Sequence, residues 1–152
     1  MQQEKIEQFT VRGIAIRTSN EEGAAAKDIP LLWHRFFSEG ISNKIDNKLT
    51  DDIYAVYTHY EKDATRPYTT ILGHKVKNAS ALQEGFETVF IQPGNYRVFT
   101  ATGELEKGIV YDQWVAIWNE PLNRKYSTDF EVYGEKSRGN GKVSVDIFIA
   151  VE

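Results

Sequence analysis

Ile29-Pro30-Leu31-Leu32-Trp33-His34-Arg35-Phe36-Phe37 reads as a helix, with Ile29, Leu32, Trp33, Phe36 and Phe37 at i, i+3, i+4, i+7 and i+8 on one apolar face. Gly40 supplies a stop, and Pro30 places the expected start at about Ile29, or a kink there. The same pattern recurs as Val110-x-x-x-Trp114-x-x-Ile117-Trp118, ended by Pro121. A strand pattern recurs as well: Tyr54-Ala55-Val56-Tyr57 matches Phe130-Glu131-Val132-Tyr133. The helices are offset by 114 − 33 = 81 residues and the strands by 133 − 57 = 76, a loop difference of five residues. Two matched elements in one order point to a duplicated unit.

The segments around these elements complete the unit. Phe9–Thr18 is rich in β-branched residues and reads as a strand, with a bulge expected at Gly13. Residues 53–60 and 68–76 are further strands, and the polar residues 41–52 a loop. The second half repeats the order. Extended segments at 86–92 and 95–102 precede the second helix, and strands at 129–133 and 142–151 follow it across the Gly-rich hairpin connection 137–142. The predicted class is α+β: duplicated β-α-β-β units, repeat 1 over about 6–78 and repeat 2 over about 86–152, related by a pseudo-twofold axis within a single domain 1–152. Antiparallel sheets with two helices arranged this way leave a central groove for a ligand.

Composition narrows the function. The 152 residues include 18 Lys+Arg, 22 Asp+Glu, no Cys, and 19 aromatics (Trp 3, Tyr 8, Phe 8). A net charge of −4 without a long basic run disfavours binding through phosphate neutralisation. The lack of Cys removes disulfide, thiolate-zinc and thiol-nucleophile chemistry. His34, His59 and His74 lack metal-ligand spacing, so no metal or cofactor is expected. Gly139-Asn140-Gly141-Lys142 lacks the Walker spacing and is read as a hairpin turn, and Asn78-Ala79-Ser80 is a sequon relevant only in a secreted chain. No apolar run is long enough to span a bilayer or serve as a signal peptide, so the expected location is cytoplasmic.

One position breaks the repeat: where the first half has Ala55, the second has Glu131. Strand alternation puts Glu131 on the face of Asp129 and Tyr133, and Ala55 on that of Tyr57. Those faces either meet in the groove or both face solvent. In solvent, Glu131 is an ordinary surface carboxylate. In the groove, it is one carboxylate among aromatic rings, suited to organic cations through charge pairing and cation–π contact.

At these residues the chain resembles a known family, the effector-binding domain of bacterial multidrug-responsive regulators, of gyrase-inhibitor-like (GyrI-like) or AraC type. Within it, the likeness is to integron-cassette-associated effector-binding proteins. The resemblance is carried by Tyr68…Ile71-Leu72-Gly73…Val76, Phe90-Ile91-Gln92-Pro93-Gly94-Asn95-Tyr96-Arg97-Val98-Phe99…Gly103, Trp114…Trp118 and Asp129-Phe130-Glu131-Val132-Tyr133. It implies a pocket in which Glu131 pairs with cationic ligands. Tyr57, Tyr133, Trp33, Phe37, Trp114 and Trp118 are then candidate walls, with Tyr54 and Tyr96 as further candidates. The expected function is a stand-alone binding module for a lipophilic cationic small molecule, with no catalytic residues and no direct contact with nucleic acid or membrane. Some relatives imply an alternative, hydrolysis of electrophilic small molecules by the same Glu and a Tyr. A protein partner, gyrase or a separate transcriptional regulator, is a third expectation.

Overall fold

A computed structural model gives the fold and describes residues 2–77, 82–139 and 141–152. The Asn78–Ser80 sequon and Asn140 of the Gly-rich hairpin lie outside the described residues. The β-branched stretches form strands and the two periodic stretches form helices, in the order β1 (Gln2–Ile6), β2 (Phe9–Thr18), α1 (Ala24–Ser38), β3 (Ile53–Thr58), β4 (Tyr68–Val76), β5 (Glu87–Ile91), β6 (Gly94–Gly103), α2 (Ile109–Trp118), β7 (Thr128–Tyr133) and β8 (Val143–Val151). Among the described residues the strands join into one curled, eight-stranded antiparallel sheet ordered β1-β6-β8-β7-β3-β4-β2-β5. The fold is α+β, as the sequence predicts.

Exchanging the halves (β1 with β5, β2 with β6, β3 with β7, β4 with β8) reverses this order onto itself. The pairing registers obey the same symmetry. Gln2 pairs with Val98 and Ile6 with Gly94; their counterparts 85 positions away (94 − 9 = 85, from the starts of β6 and β2) pair as Glu87 with Gly13 and Ile91 with Phe9. The first unit therefore carries one strand more than the sequence shows, β1, the counterpart of the extended segment at 86–92 (β5), and the units exchange these two strands. β1 lies on the edge of the second unit and β5 on the edge of the first. The sheets of the two units fuse through the β3–β7 ladder.

Both faces of the sheet are packed. On one, α1 inserts Leu32 and Phe36 against Ile14, Leu72 and Val76, and α2 inserts Ile117 against Phe99, Ile147 and Ile149. On the other, Val11, Val56, Ile71, Ile91, Tyr96 and Phe130 form a core inside the curl of the sheet. Two-sided burial explains why Tyr68–Val76 shows no polar alternation. Each large apolar side chain so buried contributes roughly 1.5–3 kcal/mol.

Two local expectations change. There is no bulge at Gly13: the β2–β4 ladder runs unbroken from Thr10↔Val76 to Thr18↔Tyr68, with Gly13 opposite Gly73. The glycines permit a close backbone approach, since a Cβ at Gly13 would meet the Leu72 carbonyl oxygen at 1.8 Å. Helix α1 starts at Ala24, not near Ile29, so Pro30 stands inside it. Gly23, at φ +73°, turns the chain, and Ala24-Ala25-Ala26 are the strongest helix formers available. This first turn has no counterpart in α2.

Candidate functional site

Alternation on β3 and β7 aims Ile53, Ala55, Tyr57, Asp129, Glu131 and Tyr133 at the helix side of the sheet. In the ladder Ala55 faces Glu131, Tyr57 faces Asp129 and Ile53 faces Tyr133. Helices α1 and α2 cover the outer strands of their own units, so the seam between units is left open beneath a cavity of about 1060 Å³. Ile29, Pro30, Trp33 and Phe37 of α1 form one wall, and Val110, Tyr111, Trp114 and Trp118 of α2 the other. Each helix reaches across the seam: Trp33 packs edge-on against Tyr133 (centroids 4.8 Å) and Trp114 against Tyr57 (5.3 Å). These are the same contact under the pseudo-twofold, and they confirm the 33↔114 and 57↔133 registers.

Glu131 lies at the floor and is 2 % exposed, which excludes the solvent-facing alternative. Its Oε2 accepts hydrogen bonds from the Tyr57 hydroxyl at 2.9 Å and Trp114 Nε1 at 2.6 Å, and its Oε1 from the Tyr133 hydroxyl at 2.7 Å. Burial raises the Glu131 pKa above the ordinary carboxylate value, and the three donors offset only part of that rise. Burial, then the Glu131 charge, pushes the Tyr57 and Tyr133 phenols well above their usual value. They are therefore neutral donors. Among the described residues no Lys, Arg or His forms an ion pair with Glu131.

Two residues along the same face, Asp129 is handled differently. It is fully buried, and its Oδ2 accepts from Arg124 Nη2 at 2.8 Å and from the Tyr60 hydroxyl at 2.6 Å, while Oδ1 accepts from the Ala150 amide at 2.9 Å. One carboxylate of the strand is thus neutralised inside the fold, and the other is not.

Of the nine predicted site residues, Glu131, Tyr133, Tyr57, Trp33, Phe37, Trp114 and Trp118 line this one cavity. Tyr54 and Tyr96 do not. They pack with Phe130 on the opposite face of the sheet, Tyr54 because it alternates with Ala55 and Tyr57. The helical aromatics are less of a core than their spacing implies: Phe37 is 63 % and Trp118 43 % exposed at the cavity rim. Sequence reading missed Tyr60, Tyr68, Tyr111 and Arg124, which also line the cavity. Among the described residues no three His, Asp or Glu side chains are grouped to hold a metal ion, and no helix is long and apolar enough to cross a membrane.

A duplicated α+β unit closing a cavity over its own symmetry seam defines the GyrI-like fold class. Within that class the chain belongs to the integron-associated effector binding protein family, whose model matches residues 4–151. An integron cassette protein from the mobile metagenome of Vibrio cholerae is 31% identical, with a TM-score of 0.77 over 99% of this chain and 95% of that one. The Bacillus subtilis protein YobU, named as a candidate transcriptional regulator, is 28% identical over 92% of this chain and 90% of its own length. A protein solved bound to tetraphenylphosphonium shares the fold at a TM-score of 0.81 and 19% identity, covering 99% of this chain and 93% of that one. The family is one of small-molecule effector binding.

Proposed function

We propose that this protein is a binding module for lipophilic organic cations, with Glu131 as the counter-charge. The observation that carries the reading is the contrast on β7: Asp129 has Arg124, whereas the carboxylate of Glu131 meets only neutral donors beneath a cavity walled by aromatic rings. A buried carboxylate without a counter-ion is costly. A cation entering the cavity supplies that counter-ion and also meets Trp and Tyr faces, each contact contributing on the order of 0.5–2 kcal/mol. Stacking walls with a single charge impose little geometry, so the module accepts ligands of varied shape. The structural neighbour solved with tetraphenylphosphonium supports this ligand class.

The test is a tryptophan-fluorescence titration with tetraphenylphosphonium on the wild type and on Glu131→Gln. Trp114 reports directly, because its indole N–H bonds the carboxylate. Binding is expected to weaken at least tenfold in the variant, and unchanged affinity would remove Glu131 from the reading. The rival, in which Glu131 activates water against an electrophile, predicts turnover; mass spectrometry of a bound electrophile after incubation separates it from simple capture.

A further inference from the structure

We propose that Arg124 is a second recognition point in this cavity, taking a neutral hydrogen-bond acceptor, a carbonyl oxygen, carried by the bound cation. The proposal rests on the cation reading above and adds to it what the rest of the ligand looks like.

Arg124 lies between α2 and β7, and its side chain is 7 % exposed and lines the cavity. Its Nη2 donates to Asp129. Its Nε is buried without a partner, and no acceptor among the described residues meets the remaining N–H groups. A guanidinium offers five N–H donors in a rigid fork, so most of this one is free. Its plane is held by stacking: Cζ lies 4.4 Å from the Tyr126 ring centroid and 6.0 Å from that of Trp114.

Charge decides which acceptor fits. Asp129 already balances Arg124, so a ligand carboxylate would leave an extra buried charge. A carbonyl takes the free N–H without doing so. Trp114 joins the two points, since its Nε1 donates to Glu131 while its ring faces Arg124. A ligand lying along this indole meets the carboxylate with its cationic centre and the guanidinium with its carbonyl. The arrangement is absent from the other half. The counterpart of Arg124 is Lys48, as their bridges to Val151 and Val76 show, and Lys48 pairs with Asp51; the counterpart of Asp129 is Ile53. The pseudo-symmetric cavity thus acquires a direction.

Two phosphonium salts of equal chain length test this by calorimetry: heptyltriphenylphosphonium and (4-ethoxy-4-oxobutyl)triphenylphosphonium, which adds an ester carbonyl. The preference for the ester over the heptyl salt seen in the wild type is expected to fall about tenfold in Arg124→Met, whatever the change in affinity common to both salts. Because that variant leaves Asp129 without counter-charge, Arg124→Met/Asp129→Asn is measured beside it. The wild type alone gives a further readout: the stretch of a ¹³C-labelled ester carbonyl should shift to lower frequency on binding. An unchanged preference or an unshifted band overturns the proposal while leaving the cation reading intact, provided Glu131→Gln weakens both salts. If neither salt binds, or Glu131→Gln weakens neither, the cation reading falls and takes this one with it.

Discussion

Ala55 and Glu131 are direct partners in the β3–β7 ladder and are also each other's counterparts in the duplicated chain. Both can hold only where the pseudo-twofold axis passes between them. Paired residues of an antiparallel ladder have Cα atoms roughly 4.5–5.5 Å apart. Two carboxylates so placed, both buried, could not ionise together. A single charge at the centre of a symmetric cavity therefore requires a small neutral residue opposite it, and Ala55 is that residue.

The symmetry predicts that the charge can be moved. In Ala55→Glu/Glu131→Ala the transferred carboxylate meets the same two phenols, Tyr57 and Tyr133, with Trp33 in place of Trp114. Cation affinity is expected to exceed that of Glu131→Ala by about tenfold, a difference of roughly 1.4 kcal/mol, and to stay below wild type. Titration of both variants with tetraphenylphosphonium checks this. Equal affinities in two folded variants would show that the halves are not interchangeable.

Glu131 also sets a pH dependence. Burial raises its folded pKa above the unfolded value of about 4.3. The folded protein thus holds this proton more tightly, and the resulting stability is present below that pH and lost as pH rises through the folded pKa. Glu131→Gln should remove this loss. Its melting temperature at neutral pH is expected to exceed wild type by several degrees, about 1–3 kcal/mol, with the gap closing toward pH 4. Cation binding should run the other way, strengthening with pH through the same window and releasing a proton. Calorimetry in buffers of different ionisation enthalpy measures that proton.

The site was legible in the sequence where symmetry carried it. Register alone pairs Trp33 with Trp114 and Tyr57 with Tyr133, and the Ala55/Glu131 mismatch singles out the carboxylate. Alternation alone excludes Tyr54, which shares its face with Val56. Strand β1 was not legible: Gln2–Ile6 is a polar edge strand with one apolar side chain, and it is a strand because β6 lies beside it. Arg124 escaped for a similar reason. It sits in a polar stretch after Pro121, and only Asp129, brought beside it by the fold, makes its burial tolerable.

Gly13 and Gly73 oppose each other in the β2–β4 ladder, and the Cβ of either replacement would collide with backbone: 1.8 Å from the Leu72 oxygen for Gly13, 2.0 Å from the Arg12 oxygen for Gly73. Backbone in mid-sheet cannot move aside. Gly13→Ala and Gly73→Ala are each expected to cost more than about 4 kcal/mol and to leave little folded protein. Gly23→Ala is the control, with open space around its Cβ and only the positive φ to accommodate, a cost of about 1–2 kcal/mol. Urea unfolding with circular dichroism ranks the three. A Gly13→Ala no worse than Gly23→Ala would contradict the close approach.

His74 has no part in the cavity and holds the opposite end of the first unit together. Its ring is fully buried; Nδ1 lies 2.8 Å from the Asp52 carbonyl and Nε2 2.6 Å from the Ser42 hydroxyl. A carbonyl can only accept, so Nδ1 carries the proton and Nε2 accepts from Ser42. The neutral imidazole thereby ties the 41–43 turn to the start of β3. Burial holds the folded pKa below its ordinary value of about 6.5. As pH falls below 6.5 the unfolded chain takes up a proton first, and stability declines until the folded pKa is reached. This runs against the Glu131 effect, so it is read in the Glu131→Gln background. There the melting temperature should fall with acidification from about pH 6.5, and adding His74→Gln should flatten the fall while costing roughly 1–3 kcal/mol at neutral pH. A profile that stays equally steep without His74 would assign the acid sensitivity to another group.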